Sequence, residues 1–220
     1  RVPYNKKTFR SISYNVLHSK GHQMRLVAFG CSNTYGFALP QEIIGNELPL
    51  PSKHSWPAVL SNRLGVECVN KGIPGASNKL ISHVLHNTKL YPTDIVVILW
   101  SYIDRWCVIE DPNYNEHNPA IKYSIATWNS DKRSRSYYKY IYNEVDHTID
   151  TNYRIDYANL YLNNKGIKNY QTSCSSIKHP ALIDIKFNKL QNIDHADDGV
   201  HPGIEAHKEI AETLYKRIVQ

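Results

Sequence analysis

Two short apolar runs limit the possible folds of this chain more than any other feature of its sequence. Residues 94–100 read DIVVILW, and residues 24–30 read MRLVAFG, the second run ending at a glycine. Continuous apolar runs of this length, rich in β-branched side chains and bounded by turn residues, are typical of strands buried on both faces. Such strands belong to a parallel sheet with helices on both sides.

Helical patterns occupy the segments that follow these strands. Apolar residues recur every three or four positions, and proline or glycine stands where a helix should begin or end. The predicted helices cover residues 55–64, 77–90, 138–162 and 203–219, and further strands are predicted at 66–70 and 167–172. The apolar face of the third helix is predicted from Tyr138, Ile141, Val145 and Ile149. This order predicts an α/β protein with a three-layer, doubly wound, mostly parallel sheet of about five strands.

The charge of the chain is concentrated at one end. The length of 220 residues suits one domain, so we predict a basic N-terminal arm at residues 1–23 and a single domain at residues 24–220, with a tyrosine-rich helical insertion at about 111–161. The first 25 residues contain six basic residues and no acidic one, whereas the remainder has 20 of each sign. Five of these six basic residues lie in the arm, so nearly all of the net charge of +6 belongs to it. This distribution argues against nucleic acid as a partner. The arm is either a solvated or packed extension or a contact to an acidic partner, a polyanion or a membrane surface, and the partner could be a protein in an assembly.

Two further classes of protein are disfavoured by composition. No stretch approaches the roughly 18 apolar residues that cross a membrane, and no secretory signal is visible. We therefore expect a soluble protein, with the cytoplasm and a virion as the two compartments that stay open. The four cysteines are widely spaced and form no CxxC pair, which predicts neither a zinc site nor a disulfide framework. They are Cys31, Cys68, Cys107 and Cys174.

Histidine and acidic residues offer two possible metal clusters. One contains His195, Asp197, Asp198 and His201, and the other contains His83 and His86. Neither has a matching set of ligands elsewhere in the chain, so we predict no metal.

A serine directly follows the first predicted strand. Ser32 stands in GCSNTYG, residues 30–36. Ligands of doubly wound sheets bind beyond the carboxyl ends of the strands, and two other strands end near Gly75 and Ser101. A small polar residue at a strand end is common in turns, so Ser32 alone carries little weight.

A possible base for this serine lies far down the chain, in DDGVHPG, residues 197–203. Asp198 precedes His201 by three residues, a spacing that lets the carboxylate reach Nδ1 of the imidazole in a turn and leaves Nε2 facing outward. A serine hydroxyl needs such a base, and the base needs an orienting acid. The combination predicts a catalytic triad of Ser32, His201 and Asp198.

These segments together resemble the SGNH, or GDSL, hydrolase family. Residues 30–36 are similar to its GDSxxxG block, with Cys31 in place of the aspartate, and residues 70–75 (NKGIPG) and 198–201 (DGVH) are similar to its second and DxxH blocks. The helix WPAVL at residues 56–60 also matches, and the GCSxTYG form is similar to phage and viral members. The similarity spans residues 26–218 with 111–161 unmatched.

The resemblance implies a flavodoxin-like α/β fold and a role for each matched residue. Ser32 would be the nucleophile, His201 the base and Asp198 the orienting acid, while the backbone N–H of Gly75 would hold the oxyanion. No metal or organic cofactor is implied.

One family block is missing. The third block, GxND, supplies an asparagine to the oxyanion hole, but residues 99–105 read LWSYIDR. Ser101 or Tyr102 is predicted to donate instead, and Asn78 lies one turn into the neighbouring helix. Arg105, with Asp104, either lines the pocket mouth as a substrate-binding residue or pairs with Asp104 on the surface.

The sequence thus predicts a serine esterase that removes acyl groups, acetyl foremost, from a small molecule or a carbohydrate. Ten of the 16 tyrosines lie between residues 114 and 170 and could form a sugar platform, although packing explains most of them. The alternative is a weak or inactive SGNH-like binding or structural module in a viral particle or another assembly. The missing asparagine and the basic arm favour this alternative.

Overall fold

The computed structural model describes residues 23–41, 50–109 and 121–220 of the chain. Residues 1–22 of the predicted arm and 110–120 of the predicted insertion lie outside the described residues. The strands are β1 Arg25–Gly30, β2 Glu67–Gly72, β3 Ile95–Trp100, β4 Trp106–Ile109, β5 Ile121–Ile125 and β6 Lys168–Ser173. The helices are α1 Ser32–Tyr35, α2 Trp56–Leu64, α3 Asn78–Asn87, α4 Lys132–Tyr140, α5 Glu144–Asn164, α6 Phe187–Leu190 and α7 Ile204–Ile218.

Four strands form one parallel sheet in the order β2-β1-β3-β6. Every residue of β3 is buried, as are the last five of β1, because these central strands are covered on both faces. The predicted doubly wound α/β class is confirmed.

The number of strands differs from the prediction of about five. Within the described residues this sheet has four strands, while β4 and β5 pair antiparallel in a separate two-stranded sheet. The sequence pattern that predicts strands is weakest in this region, since residues 111–135 are polar and show no clear periodicity. The two-stranded sheet lies next to the functional cavity described below.

Two helix pairs cover the main sheet. Helix α2 packs on α7, and α3 packs on α5, while both α2 and α3 contact β1. Trp56 and Leu60 of α2 and Leu80 and Leu85 of α3 have no exposed surface. This arrangement gives the three predicted layers of helix, sheet and helix.

The predicted face of the third helix is wrong. The helix is split, because the Asn143 side chain accepts a hydrogen bond from the Asp146 N–H and begins α5 as a new helix. Ile141, Val145 and Ile149 are 69%, 67% and 46% exposed.

A different row of residues, two of them polar, faces the core from α5 instead. They are His147, Thr151, Ile155, Ala158 and Leu162. Two of them have buried polar partners: Thr151 Oγ1 accepts a hydrogen bond from Asn78 at 3.2 Å, and His147 contacts the Tyr137 hydroxyl at 2.6 Å. Hydrogen-bond partners on other elements therefore help to determine which face of α5 is buried. The pattern of hydrophobic residues alone did not predict that face.

No helix in the described part of the chain combines the length and apolar character needed to cross a membrane.

Candidate active site

The turn after β1 holds Ser32 at the start of α1. The helix is short and Ser32 is only 5% exposed. A Cβ atom at Gly30 would lie 2.0 Å from Thr34 Oγ1, and one at Gly72 would lie 2.5 Å from the Tyr35 backbone nitrogen. Both glycines are therefore required by close contact, because any side chain would push the serine turn away from the sheet. Gly36 ends α1 in the left-handed region, at φ 78°.

His201 and Asp198 come to the same point from the far end of the chain. His201 Nε2 lies 3.0 Å from Ser32 Oγ, and His201 Nδ1 lies 2.6 Å from Asp198 Oδ2. With the Asp198 carboxylate ionised, Nδ1–H donates to it and the free Nε2 can accept the serine proton. The structure thus places the three predicted triad residues in one hydrogen-bonded chain.

The Asp198 carboxylate is held by its own turn. Asp198 Oδ1 accepts the backbone N–H groups of Val200 and His201, both at 3.0 Å. Burial works to raise the pKa of this carboxyl, but these two N–H groups and the His201 imidazole outweigh it and lower the pKa to about 2. The group therefore stays ionised across the neutral and mildly acidic range.

Two backbone N–H groups are available to bind an oxyanion. Those of Ser32 and Gly75 have no acceptor among the residues that the structure describes. Both residues line the cavity at Ser32, and Gly75 is held at φ 76°. Since buried N–H groups are nearly always paired, such open donors beside a nucleophile suit a developing negative charge.

The side chains predicted to replace the family asparagine are engaged elsewhere. Asn78 Oδ1 accepts the Ser101 N–H at 2.7 Å, and Asn78 Nδ2 donates to the Ser101 carbonyl and to Thr151. Ser101 Oγ accepts from Arg105 Nη1 at 3.0 Å. Neither Asn78 nor Ser101 lines the cavity.

Tyr102 does line the cavity, but its hydroxyl donates to Gln191 Oε1 at 3.1 Å. Burial, followed by the nearby Cys174 and Cys31 thiols, raises the pKa of Tyr102 to about 12. The phenol is therefore neutral at ordinary pH and remains a hydrogen-bond donor.

The cavity beside the triad has a volume of about 600 Å³. Arg105 lines it and is only 8% exposed, and Asp104 lies on the same wall. No ion pair joins Asp104 and Arg105 in the part of the chain that the structure describes. Of the two arrangements considered from the sequence, the structure has Arg105 at the cavity.

Several cavity residues were missed by sequence reasoning. They are Asn33, Phe37, Pro74, Thr127, Trp128, Gln191, Val200 and Pro202. Phe37 contacts the His201 ring with centroids 5.1 Å apart. Trp128 is 56% exposed in a turn after β5, and an aromatic residue in a polar loop was the one signal that could have found it.

The cysteine thiols and the pair His83 and His86 lie outside the triad, whereas Asp198 and His201, which belong to the other possible metal cluster, are part of it. Cys31 is fully buried beside Ser32 and belongs to the core, and the four cysteines are free thiols. Within the described residues no three His, Cys, Asp or Glu side chains come together as metal ligands.

Comparison with known proteins gives a structural likeness and no sequence match. No family model matches the chain, and no curated protein matches it. The fold aligns with a carbohydrate esterase family 2 enzyme plus carbohydrate-binding domain from Corynascus thermopiles, over 90% of this chain and 66% of that one, at 13% identity and a TM-score of 0.51.

Two other solved structures resemble it more loosely. A protein assigned to the lipolytic G-D-S-L family, from Desulfitobacterium hafniense, aligns over 87% of this chain and 98% of its own, at 14% identity and a TM-score of 0.45. A carbohydrate acetylesterase from Sinorhizobium meliloti aligns over 90% and 99%, at 11% identity and a TM-score of 0.40. At 13% identity, the likeness to the enzyme from Corynascus thermopiles concerns the α/β fold.

Proposed function

We propose that the protein is a serine esterase of the SGNH type, which hydrolyses acyl esters, acetyl esters foremost, with a small molecule or a carbohydrate as the alcohol. The observation that carries the proposal is the chain from Ser32 Oγ through His201 to Asp198, with distances of 3.0 and 2.6 Å, at a cavity of about 600 Å³. A buried serine has no structural need of an imidazole that is itself oriented by a carboxylate.

The proposed reaction is acyl transfer to water. Ser32 Oγ attacks the ester carbonyl while His201 Nε2 takes its proton, and Asp198 stabilises the imidazolium. The N–H groups of Ser32 and Gly75 bind the oxyanion. The alcohol leaves with a proton from His201, and water, activated by the same nitrogen, releases the acid from Ser32.

The carbohydrate part of the proposal has two supports. Phe37 and Trp128, which are 43% and 56% exposed, stand at the cavity and offer apolar faces on which a sugar ring can stack. Among the solved structures with this fold is the carbohydrate esterase from Corynascus thermopiles.

The test of the esterase proposal is covalent labelling. Wild-type protein treated with a fluorophosphonate is expected to gain the mass of one adduct, and Ser32→Ala protein none. Wild-type protein that is folded by circular dichroism and yet unlabelled would contradict the proposal. The neighbouring Ser52→Ala variant, which is expected to label normally, controls for a general effect of losing a buried hydroxyl.

A binding or structural module in an assembly is the second candidate function. Helix α5 exposes an apolar row that the core does not use, with Val145, Tyr153 and Leu160 at 67%, 71% and 61% exposure. Contiguous exposed apolar surface marks interaction sites. Light scattering after size exclusion tests it: a single monomer mass at every concentration would leave self-assembly without support, whereas a mass that rises with concentration and reverts in Tyr153→Lys would support it.

A further inference from the structure

We propose that Arg105 makes the cavity selective for esters that carry a carboxylate, and that its guanidinium binds this carboxylate while Ser32 attacks the ester. The inference rests on the proposed esterase function and adds a substrate class to it. It starts from a charged side chain that the triad does not use.

The Arg105 guanidinium is buried and incompletely paired. The residue is 8% exposed, and among the described residues its side chain makes one hydrogen bond, from Nη1 to Ser101 Oγ at 3.0 Å. The Nε–H is buried and has no partner in the part of the chain that the structure describes. Burying a charge without a counter-charge is costly, so an open cation at a cavity indicates a ligand that completes it.

Other arginines of the domain show the contrast. Arg25 pairs with Asp94 at 2.8 Å, and Arg154 pairs with Asp150 at 2.7 Å. Both are more exposed than Arg105, and both have a carboxylate. Arg105 has no carboxylate within 4.0 Å among the described residues, although it is the more buried cation.

Two aromatic rings hold the guanidinium in place. Its central carbon lies 4.7 Å from the ring centroid of Tyr102 and 4.5 Å from that of Trp128. Rings at these distances bind the flat faces of the cation and leave its N–H edge for a ligand. All three residues line the cavity that contains Ser32.

The chemistry of the free edge selects the ligand. A guanidinium offers parallel N–H donors that match the two oxygens of a carboxylate, and such charge-assisted pairs are stronger than neutral hydrogen bonds. A carboxylate bound here would supply the missing counter-charge. The cavity then accepts an ester whose acyl part or whose alcohol part bears the acid group.

The experiment compares matched anionic and neutral esters. The alcohol-side pair is para-acetoxybenzoate against para-acetoxybenzamide, and the acyl-side pair is para-nitrophenyl hemiadipate against para-nitrophenyl hexanoate. The readout is the ratio of kcat/KM, anionic over neutral, in each pair. In Arg105→Gln the ratio of at least one pair is expected to fall about 10- to 100-fold. Arg105→Lys is expected to restore part of this ratio, because lysine returns the positive charge but not the parallel N–H donors of the guanidinium.

The control is Arg217→Gln, which removes an exposed arginine at the end of α7 and is expected to leave both ratios unchanged. Ratios that stay constant in Arg105→Gln would overturn the inference. So would an equal loss on the anionic and neutral partners, since that result would make Arg105 a support of the strand end or of the oxyanion site.

A binding measurement separates this inference from the esterase proposal. Ser32→Ala protein is titrated calorimetrically with para-hydroxybenzoate and with adipate. Binding of either that is lost in the Ser32→Ala, Arg105→Gln double variant supports the anion site even if the wild type proves unable to hydrolyse any ester. No binding of either by the Ser32→Ala parent, together with constant or absent kinetic ratios, would overturn it.

Discussion

At the scale of single residues, Asp198 divides its two oxygens between structure and chemistry. Oδ1 accepts two backbone N–H groups of its own turn, and Oδ2 accepts Nδ1–H of His201 at 2.6 Å. The carboxylate is thus fixed before the imidazole binds to it. Since its pKa is lowered to about 2, the imidazole meets a charged partner at any pH at which the protein would work.

We predict that Asp198→Asn lowers kcat about 10⁴-fold, the scale found when the triad acid of a serine protease is changed in this way. The amide turns an N–H toward His201 and favours the tautomer with the proton on Nε2, so the base no longer accepts from Ser32. The measurement is kcat on para-nitrophenyl acetate.

The matched control is Asp197→Asn, one residue earlier and exposed, which is expected to keep kcat within about twofold because it removes no triad contact. Retention of more than a tenth of wild-type kcat by Asp198→Asn would show that His201 is oriented without its carboxylate.

Asn78 stabilises the end of β3, because its side chain bonds the Ser101 backbone and Thr151. It was predicted from sequence as a residue of the oxyanion site. We predict that Asn78→Ala lowers the free energy of unfolding by at least about 2 kcal/mol, because it leaves the buried Ser101 N–H unpaired and removes the bond to Thr151. Urea unfolding followed by circular dichroism measures it. Asn192→Ala, which removes one exposed hydrogen bond to the Asn188 carbonyl, should cost less than about 0.5 kcal/mol; equal losses in the two variants would contradict the assignment.

At the scale of elements, the strands and helices that the sequence predicts correctly are those whose pattern lies within the element itself. The strands β1 and β3 are continuous apolar runs, and α2 carries proline at its start and glycine at its end. Their position follows from short-range rules. The serine turn was also predictable from sequence, since glycine is required where the ends of β1 and β2 contact α1.

The parts that sequence did not predict depend on partners distant in the chain. The buried face of α5 is set by Tyr137 and Asn78, which satisfy His147 and Thr151. The position of Trp128 at the cavity depends on the contact of its ring with the Arg105 guanidinium. The periodicity of the sequence does not carry this information, because none of the three contacts is between neighbours in the sequence.

The link between α2 and α7 passes through a buried histidine, and it predicts a pH dependence. His207 Nδ1 accepts the Trp56 N–H at 2.9 Å. Burial lowers the pKa of His207 to about 4 in the folded chain. In the unfolded chain the same imidazole is protonated near pH 6.5, so between these two pH values the unfolded state binds a proton that the folded state does not. The free energy of unfolding therefore falls as pH drops from about 6.5 to 4, by about 3 kcal/mol from this residue.

Denaturant unfolding of wild type and His207→Gln between pH 7 and 4 measures this contribution. The glutamine can accept the Trp56 N–H but cannot be protonated, so its stability should fall less steeply with decreasing pH. Other titrating groups cancel in the comparison. Parallel curves for the two proteins would mean that His207 is protonated equally in the folded and unfolded chain.

At the scale of the whole molecule, the cavity lies between the parallel sheet and the segment that follows the two-stranded sheet. Ser32 and His201 stand on the parallel sheet and on the start of α7, with the main core behind them. The opposite wall, with Trp128, follows the antiparallel pair β4 and β5, where Val108 is 37% exposed. Two-stranded sheets are only marginally stable by themselves, so the catalytic wall should be rigid and the specificity wall adaptable.

We predict that hydrogen exchange followed by mass spectrometry separates these two walls. Amides of β4 and β5 are expected to exchange at least about tenfold faster than those of β1 and β3, since opening the small sheet exposes little of the core. If a carboxylate binds the Arg105 guanidinium, which contacts Trp128, adding para-hydroxybenzoate to Ser32→Ala protein should slow exchange in residues 123–129. Exchange in β1 and β3 should stay unchanged. The Ser32→Ala, Arg105→Gln double variant supplies the control, because in it the ligand should protect nothing. Equal exchange in all four strands would instead describe one cooperative unit.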